Sequence, residues 1–324
     1  MLRRNPNYQG TRPHRLAEIR YAIGVRADRA VAAVEAGRAD YVELNPADLT
    51  QGVPTELVRR LTKRYGARSE AARAGRQQVF TQPSLSVYSF VFNTRRGPFT
   101  DPRLRRAVNL AMDRRALAAH PGGGESGRPT DQFLPPGLPG FEDAAVYPLG
   151  GPDLESARRL ADGRRRQAVL YTCNLPGCTR HGQILKSNLR AIDIDLEVRQ
   201  FAIGEMFDRT QNSSEPFDIA YSNWFGAYPD PFEYINVQFA RGGFRPSLFG
   251  DRDIERRMAD AASLTGDARL RAYAKLDRDL AADAAPAAVF ATGTASYFLS
   301  ARMGCQVLHP IFGLDLASLC IRPR

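Results

Sequence analysis

Four cysteines form two pairs that are close in sequence, Cys173 with Cys178 and Cys305 with Cys320. The first pair brackets Asn-Leu-Pro-Gly, a turn-forming stretch, and the second brackets a segment that could fold back on itself. A disulfide bond within each pair is the favoured chemistry, and it would place the protein in an oxidising compartment. Free buried thiols are a second interpretation. Zinc binding by Cys178 and His181 is the weakest, because no second Cys or His pair stands nearby to complete four ligands.

The chain carries no motif that supplies the reacting groups of an enzyme. It has no Gly-x-Ser-x-Gly sequence, and its histidines lie in no metal-binding frame: His14, His120, His181 and His309. Gly122, Gly124 and Gly127 have the spacing of a dinucleotide-binding loop. That loop needs a strand before it and a helix after it, whereas here a predicted helix precedes and Arg-Pro follows. We therefore expect no catalytic residue, no metal and no cofactor.

The segment most suited to binding is residues 222–235, SNWFGAYPDPFEYI, which follows the apolar stretch FDIAY. It holds the only tryptophan, four further aromatic residues and a Pro-Asp-Pro sequence. Trp224 and Tyr228 combine apolar faces with hydrogen-bonding tips, and the prolines stiffen the loop that holds them. Such a loop could form the wall of a ligand site. Packing of Trp224 in a core is an equally favoured interpretation.

The elements that would position these residues alternate along the chain. Hydrophobic periodicity predicts strands at residues 19–25, 39–44, 84–93, 168–172, 194–201, 217–221, 287–290 and 296–300. It predicts helices at residues 28–36, 55–65, 100–119, 153–161, 182–192, 204–209, 231–239, 253–264 and 267–282. Residues 122–150 are rich in glycine and proline and are predicted to be irregular. The alternation indicates an α/β architecture.

Length and composition indicate a globular protein of two lobes. The chain has 324 residues, of which 43% are hydrophobic and 25% charged, with a net charge of +10. The arginines are scattered through helical segments and are interpreted as solvated helix faces, so no nucleic-acid partner is expected for this segment. The N-terminal residues lack the apolar core of a signal peptide, which indicates either a cytosolic protein or a piece of a longer chain.

Several segments, in order, carry a resemblance to a known family. The two most specific are residues 92–115, FNTRRGPFTDPRLRRAVNLAMDRR, and residues 217–232, which include the Trp224 segment. Weaker matches are residues 5–8 (NPNY), 36–40 (AGRAD), 134–140 (LPPGLPG), 153–160 (DLESARRL) and 267–286. Together they resemble the bacterial extracellular solute-binding proteins of family 5, the oligopeptide-, dipeptide- and nickel-binding components of ABC importers.

The resemblance implies a fold. Family members have a two-lobe, mixed α/β fold of the periplasmic-binding-protein type (type II), and they are longer than this chain, which would lack their N-terminal part. Residues 1–90 would form a partial lobe one, residues 91–291 a nearly complete lobe two, and residues 292–324 the return to lobe one. Asn93 and residues 290–295 would be the crossings about which the lobes close.

The resemblance also implies a binding site. Trp224 matches the tryptophan at the family's cleft, and the expected ligand contacts are Asn223, Trp224, Phe225, Tyr228, Phe92 and Asn93. Peptide-binding members carry an aspartate three residues after this tryptophan, where it pairs with the peptide's α-amino group. Ala227 stands at that position here. A buried ammonium without a carboxylate partner is costly, so ordinary free peptides are expected to be poor ligands.

The implied function is a solute-binding component of an ABC importer that holds a peptide-like or other small polar solute in an interlobe cleft, without catalysis. Its expected partner is the membrane permease of the importer, and the full-length protein is expected to be a monomer in the periplasm or outside the cell, membrane-anchored or free. An alternative is a ligand-sensing domain of a transcription regulator, which the missing signal peptide and the basic charge would fit. An enzyme is the least favoured class.

Overall fold

The computed structural model describes residues 1–44, 53–119, 127–212, 214–241, 243–244 and 249–323. Within them the strands, β1 to β13, are Leu2–Arg3, Glu18–Ile19, Tyr41–Glu43, Val79–Phe92, Gly127–Pro129, Arg166–Cys173, Ile194–Phe201, Ile219–Phe225, Ala287–Leu299, Met303–Gly304, Leu308–His309, Gly313–Leu314 and Cys320–Ile321. The helices, α1 to α12, are Ala27–Glu35, Thr55–Tyr65, Glu70–Arg73, Pro102–Ala111, Arg114–Ala118, Leu154–Ala161, Pro176–Arg190, Ile203–Gln211, Pro231–Tyr234, Asn236–Phe239, Arg252–Ser263 and Gly266–Asp279. His120, Gly122 and Gly124 lie outside the described residues.

The chain divides into two compact units, and the boundaries fall within strands β4 and β9. The first unit contains Met1–Ser84 and Thr294–Arg324, and the second contains Leu85–Ala119 and Glu125–Gly293. The division into lobes at residues 90 and 291 stays a prediction.

The second unit is built on a mixed sheet in the order β9-β4-β8-β6-β7, with the short strand β5 on β9. Strands β4 and β8 are antiparallel from Ser86 opposite Phe225 to Phe92 opposite Ile219. Strand β6 is parallel to both of its neighbours, β7 and β8. The predicted β7 has the observed bounds, because its alternating Ile194, Leu196 and Val198 fit one apolar face of a sheet.

Buried arginines hold the helices that follow β4. The predicted helix 100–119 begins after Asp101, whose side chain accepts a hydrogen bond from Arg103 N at 2.8 Å, but it divides into α4 and α5. Arg105 donates to Ala284 O, and Arg114, which has no exposed surface, donates to Val289 O at 2.8 Å. The interpretation of the arginines as solvated helix faces is wrong for these two residues, since their guanidinium groups satisfy buried carbonyls.

The bounds of several strands and helices differ from those predicted from the sequence. Strand β8 runs to Phe225 rather than to residue 221, because β4 offers a partner for every one of its residues. Strand β9 is continuous where two strands were predicted. Helix α7 begins six residues earlier than predicted, at Pro176. The predicted helix 231–239 divides into α9 and α10, and helix α12 ends in a π-helical turn, Leu280–Ala284.

The first unit contains α1 and α2, whose apolar faces pack in one core, and strand β3, which pairs with β9. Helix α2 has its predicted bounds. The predicted strand 19–25 is wrong beyond Ile19. No described strand pairs with residues 20–25, and Ile23 is 94% exposed. An alternating apolar sequence does not form a strand without a neighbour to complete its hydrogen bonds.

Both disulfide bonds are present, Cys173–Cys178 and Cys305–Cys320, each with its Cα atoms 5.4 Å apart. The disulfide interpretation is therefore confirmed, and the interpretations as free thiols or as a zinc site are wrong. Gly127, the third glycine of the dinucleotide-like spacing, lies in strand β5, where a Cβ atom would be 1.9 Å from Thr292 O. No described helix is long and apolar enough to span a membrane.

The disulfide bonds can be tested by counting thiols. The denatured protein should show no reactive thiol before reduction and four after it. Replacing Cys305 and Cys320 by serine should lower the free energy of unfolding by about 3 kcal/mol, because the bond closes a loop of about 15 residues. The matched pair of Cys173→Ser and Cys178→Ser opens a shorter loop and should cost less. Four reactive thiols in the unreduced protein would contradict the assignment.

The irregular segment after β5 is held by a buried carboxylate on α12. Asp277 has no exposed surface and accepts hydrogen bonds from Phe133 N at 2.8 Å, Leu134 N at 3.3 Å and Gln132 Nε2 at 2.9 Å. Burial raises the pKa of Asp277 to about 7, although these hydrogen bonds act in the opposite direction.

This pKa predicts a pH-dependent stability. Between about pH 4 and pH 7 the folded protein holds a proton on Asp277 that the unfolded chain releases, so the free energy of unfolding should fall as pH rises through this window. The contribution is on the order of 4 kcal/mol. Urea unfolding at pH 5 and pH 8 measures the part of this contribution that lies above pH 5, about 3 kcal/mol, with Asp277→Asn as a control that cannot titrate. The same pH dependence in both proteins would show that Asp277 does not cause it.

Candidate functional site

The topology of the second unit points to one edge of its sheet. Strand β6 leads through α7 to β7 on one side, whereas β8 leads through α9–α12 to β9 on the other side of the sheet. Leu170 pairs with Ile219 and Tyr171 with Ala220, so β6 and β8 are adjacent and their carboxyl ends share this edge. In open α/β sheets, ligands bind outside the carboxyl ends of strands at such a point of reversal. The carboxyl end of β8 carries Trp224.

Asn223 and Trp224 lie on the last residues of β8, opposite Tyr88 and Val87 of β4. The Trp224 ring is half-buried and packs edge-on against Phe244, with ring centroids 5.5 Å apart. Trp224 Nε1, Asn223 Nδ2 and Asn223 Oδ1 are buried, and none of them has a hydrogen-bond partner among the described residues. Buried polar atoms without partners are rare, and each one needs an explanation. One explanation is a bound ligand that supplies the missing hydrogen-bond partners.

The loop that follows β8 presents aromatic surface. Phe225 is 59% exposed and Tyr228 is 43% exposed. Gly226 passes so close to Tyr234 that a Cβ atom at this position would be 2.4 Å from the phenol oxygen. Tyr234 in turn donates a hydrogen bond to Leu85 O at 2.7 Å. The loop is therefore fixed against the start of the β4–β8 ladder, and its aromatic residues are held in place.

The acidic groups of this loop are occupied by the protein itself. Asp230 forms a bidentate ion pair with Arg269 of α12, with both N–O distances 2.8 Å, and it caps α9 by accepting a hydrogen bond from Phe232 N. Glu233 is buried and accepts a hydrogen bond from Ala227 N at 3.1 Å. Burial, with the negative charge of Glu233 adding to it, raises the pKa of Tyr228. The carboxylates of Asp230 and Glu233 therefore hold the loop through contacts with other groups of the protein.

Two of the six predicted ligand contacts lie away from the others. Phe92 and Asn93 stand at the opposite end of the β4–β8 ladder, five residue pairs from Trp224, which corresponds to about 17 Å along a strand. The Phe92 ring has no exposed surface and packs against Phe99 with centroids 4.9 Å apart. Asn93 is also buried, and its Nδ2 donates to Phe217 O at 3.3 Å. Asn223, Trp224, Phe225 and Tyr228 all lie at the carboxyl end of β8 or in the loop after it, with the side chains of Asn223 and Trp224 on opposite faces of the strand, whereas Phe92 and Asn93 lie at the other end of the ladder.

Nothing in the sequence indicates that Glu233 and Arg269 shape this site. Arg269 lies 39 residues after its partner Asp230 and carries no local signal of the contact. His181, the suggested zinc ligand, is a core residue. Its Nε2 lies 3.1 Å from Leu117 O, and burial lowers its pKa to about 4. No group of acidic, histidine or cysteine residues in the described part of the chain could hold a metal ion.

Comparisons with known proteins show which family the chain resembles. Residues 1–245 match the profile of the bacterial extracellular solute-binding proteins, family 5 middle. The chain is 31% identical over 166 residues to di/tripeptide-binding protein 2 of Pseudomonas aeruginosa, covering 48% of this chain and 30% of that protein. It is 24% identical over 230 residues to the periplasmic murein peptide-binding protein MppA of Escherichia coli, covering 67% of this chain and 40% of that protein.

A solved structure of a protein named as peptide-binding has a similar fold. The crystal structure of a putative peptide-binding protein, AppA of Clostridium difficile, superposes with a TM-score of 0.78 at 16% identity, covering 99% of this chain and 64% of that one. The chain therefore spans less than half the length of these two curated relatives and under two thirds of this structure. A profile match over residues 1–245, together with the mixed α/β fold, shows that this chain belongs to the bacterial extracellular solute-binding proteins of family 5.

Proposed function

We propose that this chain is part of the solute-binding component of an ABC importer and that it binds a peptide-like or other small polar solute without catalysing a reaction. The observation that carries the proposal is that the last residues of β8, Asn223 and Trp224, each hold buried polar atoms without a described partner, at the edge where the sheet topology favours a ligand. Phe225 and Tyr228 add exposed aromatic surface beside them.

In this proposal the predicted site residues have two roles. Asn223, Trp224, Phe225 and Tyr228 contact the solute, because they surround the carboxyl end of β8. Phe92 and Asn93 act indirectly, since their buried side chains fix the other end of the same ladder. Residues 1–90 with 292–324 would form one lobe of the protein and residues 91–291 the other.

The family supports the wider role. Its members are substrate-binding proteins, and the relatives reported above are named as peptide-binding proteins, one of them periplasmic. We infer from them a location outside the cytoplasm, monomeric action and a membrane permease as the partner of the whole protein. The two disulfide bonds agree with an oxidising compartment. The hypothesis of a transcription-regulator domain gains no support from these relatives.

The proposal can be tested with the chain's single tryptophan. Trp224 should change its fluorescence when a mixture of short peptides, with free and with blocked amino groups, is titrated into the purified protein, because the ligand alters the surroundings of the indole ring. Trp224→Ala should weaken binding measured by calorimetry at least tenfold, since it removes a half-buried aromatic contact. Native mass spectrometry should also reveal a solute that survives purification.

Phe312→Ala is a matched control, because Phe312 is a 70% exposed aromatic residue of the first unit. It should leave binding unchanged. A folded protein that carries no solute and binds none of the peptides at millimolar concentration would refute the proposed function. Equal losses of affinity in Trp224→Ala and Phe312→Ala would show that the solute does not bind at the end of β8.

A further inference from the structure

We propose that the first unit binds an anionic lipid surface through the exposed loop at residues 20–26 and the arginine-lined groove beside it. This interaction is separate from the solute site at the end of β8 and does not depend on it. Three observations support it: the apolar residues of the loop, the composition of the groove and the distribution of charge between the two units.

The loop presents apolar side chains to solvent. Ile23 is 94% exposed, and Tyr21 and Val25 are exposed on either side of it. The Tyr21 ring packs edge-on against Tyr41 of β3, with ring centroids 6.4 Å apart. The loop is therefore attached to the first unit, while Ile23 lies at its turn. Contiguous exposed apolar groups mark a surface that meets a protein partner or a membrane.

Arginines stand at both ends of the loop. Arg20 precedes the apolar residues and Arg26 follows them, and both side chains are exposed. Each guanidinium pairs with one carboxylate, Glu18 for Arg20 and Asp28 for Arg26. Arginine can lay its apolar stem along an apolar layer while the guanidinium stays among polar groups. Apolar residues framed by arginines are therefore suited to the boundary between the headgroups and the acyl chains of a bilayer.

A groove of about 360 Å³ adjoins the loop. Its wall includes the β1–β2 ladder, in which Leu2 pairs with Ile19, and Arg4 lies on the same face as Leu2 because it is two residues further along. Arg4 donates to Arg15 O at 3.3 Å and has no carboxylate partner among the described residues. The groove thus places a cation without an acidic partner beside apolar side chains, which matches the phosphate and the acyl carbons of a phospholipid.

The net charge of the chain lies almost wholly in the first unit. That unit contains 18 basic and 9 acidic residues, whereas the second unit contains 27 and 26. A positive charge spread over a whole unit suits an extended anionic surface better than a single acidic group. The exposure of Ile23 favours the same partner, because a bilayer admits a projecting apolar side chain whereas a protein needs a matching cavity for it.

Co-sedimentation of the 324-residue protein with lipid vesicles tests the proposal. Vesicles with equal amounts of phosphatidylglycerol and phosphatidylcholine should bind it about tenfold more tightly than vesicles of phosphatidylcholine alone, because only the former carry negative charge. Added salt should weaken binding to the mixed vesicles by screening that charge. Equal binding to both kinds of vesicle, or binding to neither, would overturn the proposal.

Two variants locate the surface. Ile23→Ser should weaken binding to the mixed vesicles about tenfold, because the apolar side chain no longer leaves water for the bilayer. Arg4→Gln should weaken it about fivefold, because one cation near the anionic surface is lost. Both side chains are exposed, so the free energy of unfolding and the binding of peptides at β8 should stay as in the wild type.

Leu264→Ser and Arg165→Gln are the matched controls, because they remove an exposed apolar side chain and an exposed arginine from the second unit. Both should bind the mixed vesicles as the wild type does, and losses equal to those of Ile23→Ser and Arg4→Gln would overturn the proposal. Analytical ultracentrifugation without lipid should show a monomer. Oligomers that Ile23→Ser dissociates would show that the loop covers a second copy of the chain, which would also overturn the proposal.

Discussion

Strand β8 keeps its seven residues paired with β4 from Ile219 to Phe225, and this antiparallel ladder determines where every candidate ligand contact lies. Its parallel neighbour β6 pairs with it at Leu170–Ile219 and Tyr171–Ala220. The last residues of β8 are therefore supported by β4. They present Asn223 and Trp224 at the carboxyl edge of the sheet, where a strand side chain can meet a solute without loss of backbone hydrogen bonds. The register matters because a shift of one residue would turn both side chains to the opposite faces.

The surrounding helices and irregular segments are fixed by buried charged groups that bind backbone atoms. Arg105 and Arg114 donate to carbonyls of the β9 region, and Asp277 accepts from the amides of Phe133 and Leu134. Burial lowers the pKa of Arg114 to about 10, so the group remains charged at neutral pH. Segments without regular structure cannot satisfy their own amides and carbonyls. Side chains from a neighbouring helix do so here, which makes a long loop part of a rigid unit.

Local signals in the sequence predicted helix α2 and strand β7 with their observed bounds, because each has a clear apolar face and a clear end. They failed where structure depends on distant pairing. Residues 222–225 resembled the start of a loop, yet β4 draws them into β8, whereas residues 20–25 alternate like a strand and find no described partner. The same limit applies to the site. Trp224 and Tyr228 could be selected by residue type, but the pairing of Asp230 with Arg269 could not, because 39 residues separate them.

The loop of the candidate site is held by several contacts that bear on its chemistry. Gly226 leaves space for the Tyr234 hydroxyl, which reaches back to Leu85 O, while Glu233 and the Asp230–Arg269 pair hold the loop from below. A loop fixed in this way has little conformational entropy to lose on binding. The same contacts consume the charges that would otherwise be available to a solute. The contacts that fix the loop therefore also pair its charged groups, and the polar groups at the end of β8 without a described partner are the amide of Asn223 and the indole N–H of Trp224.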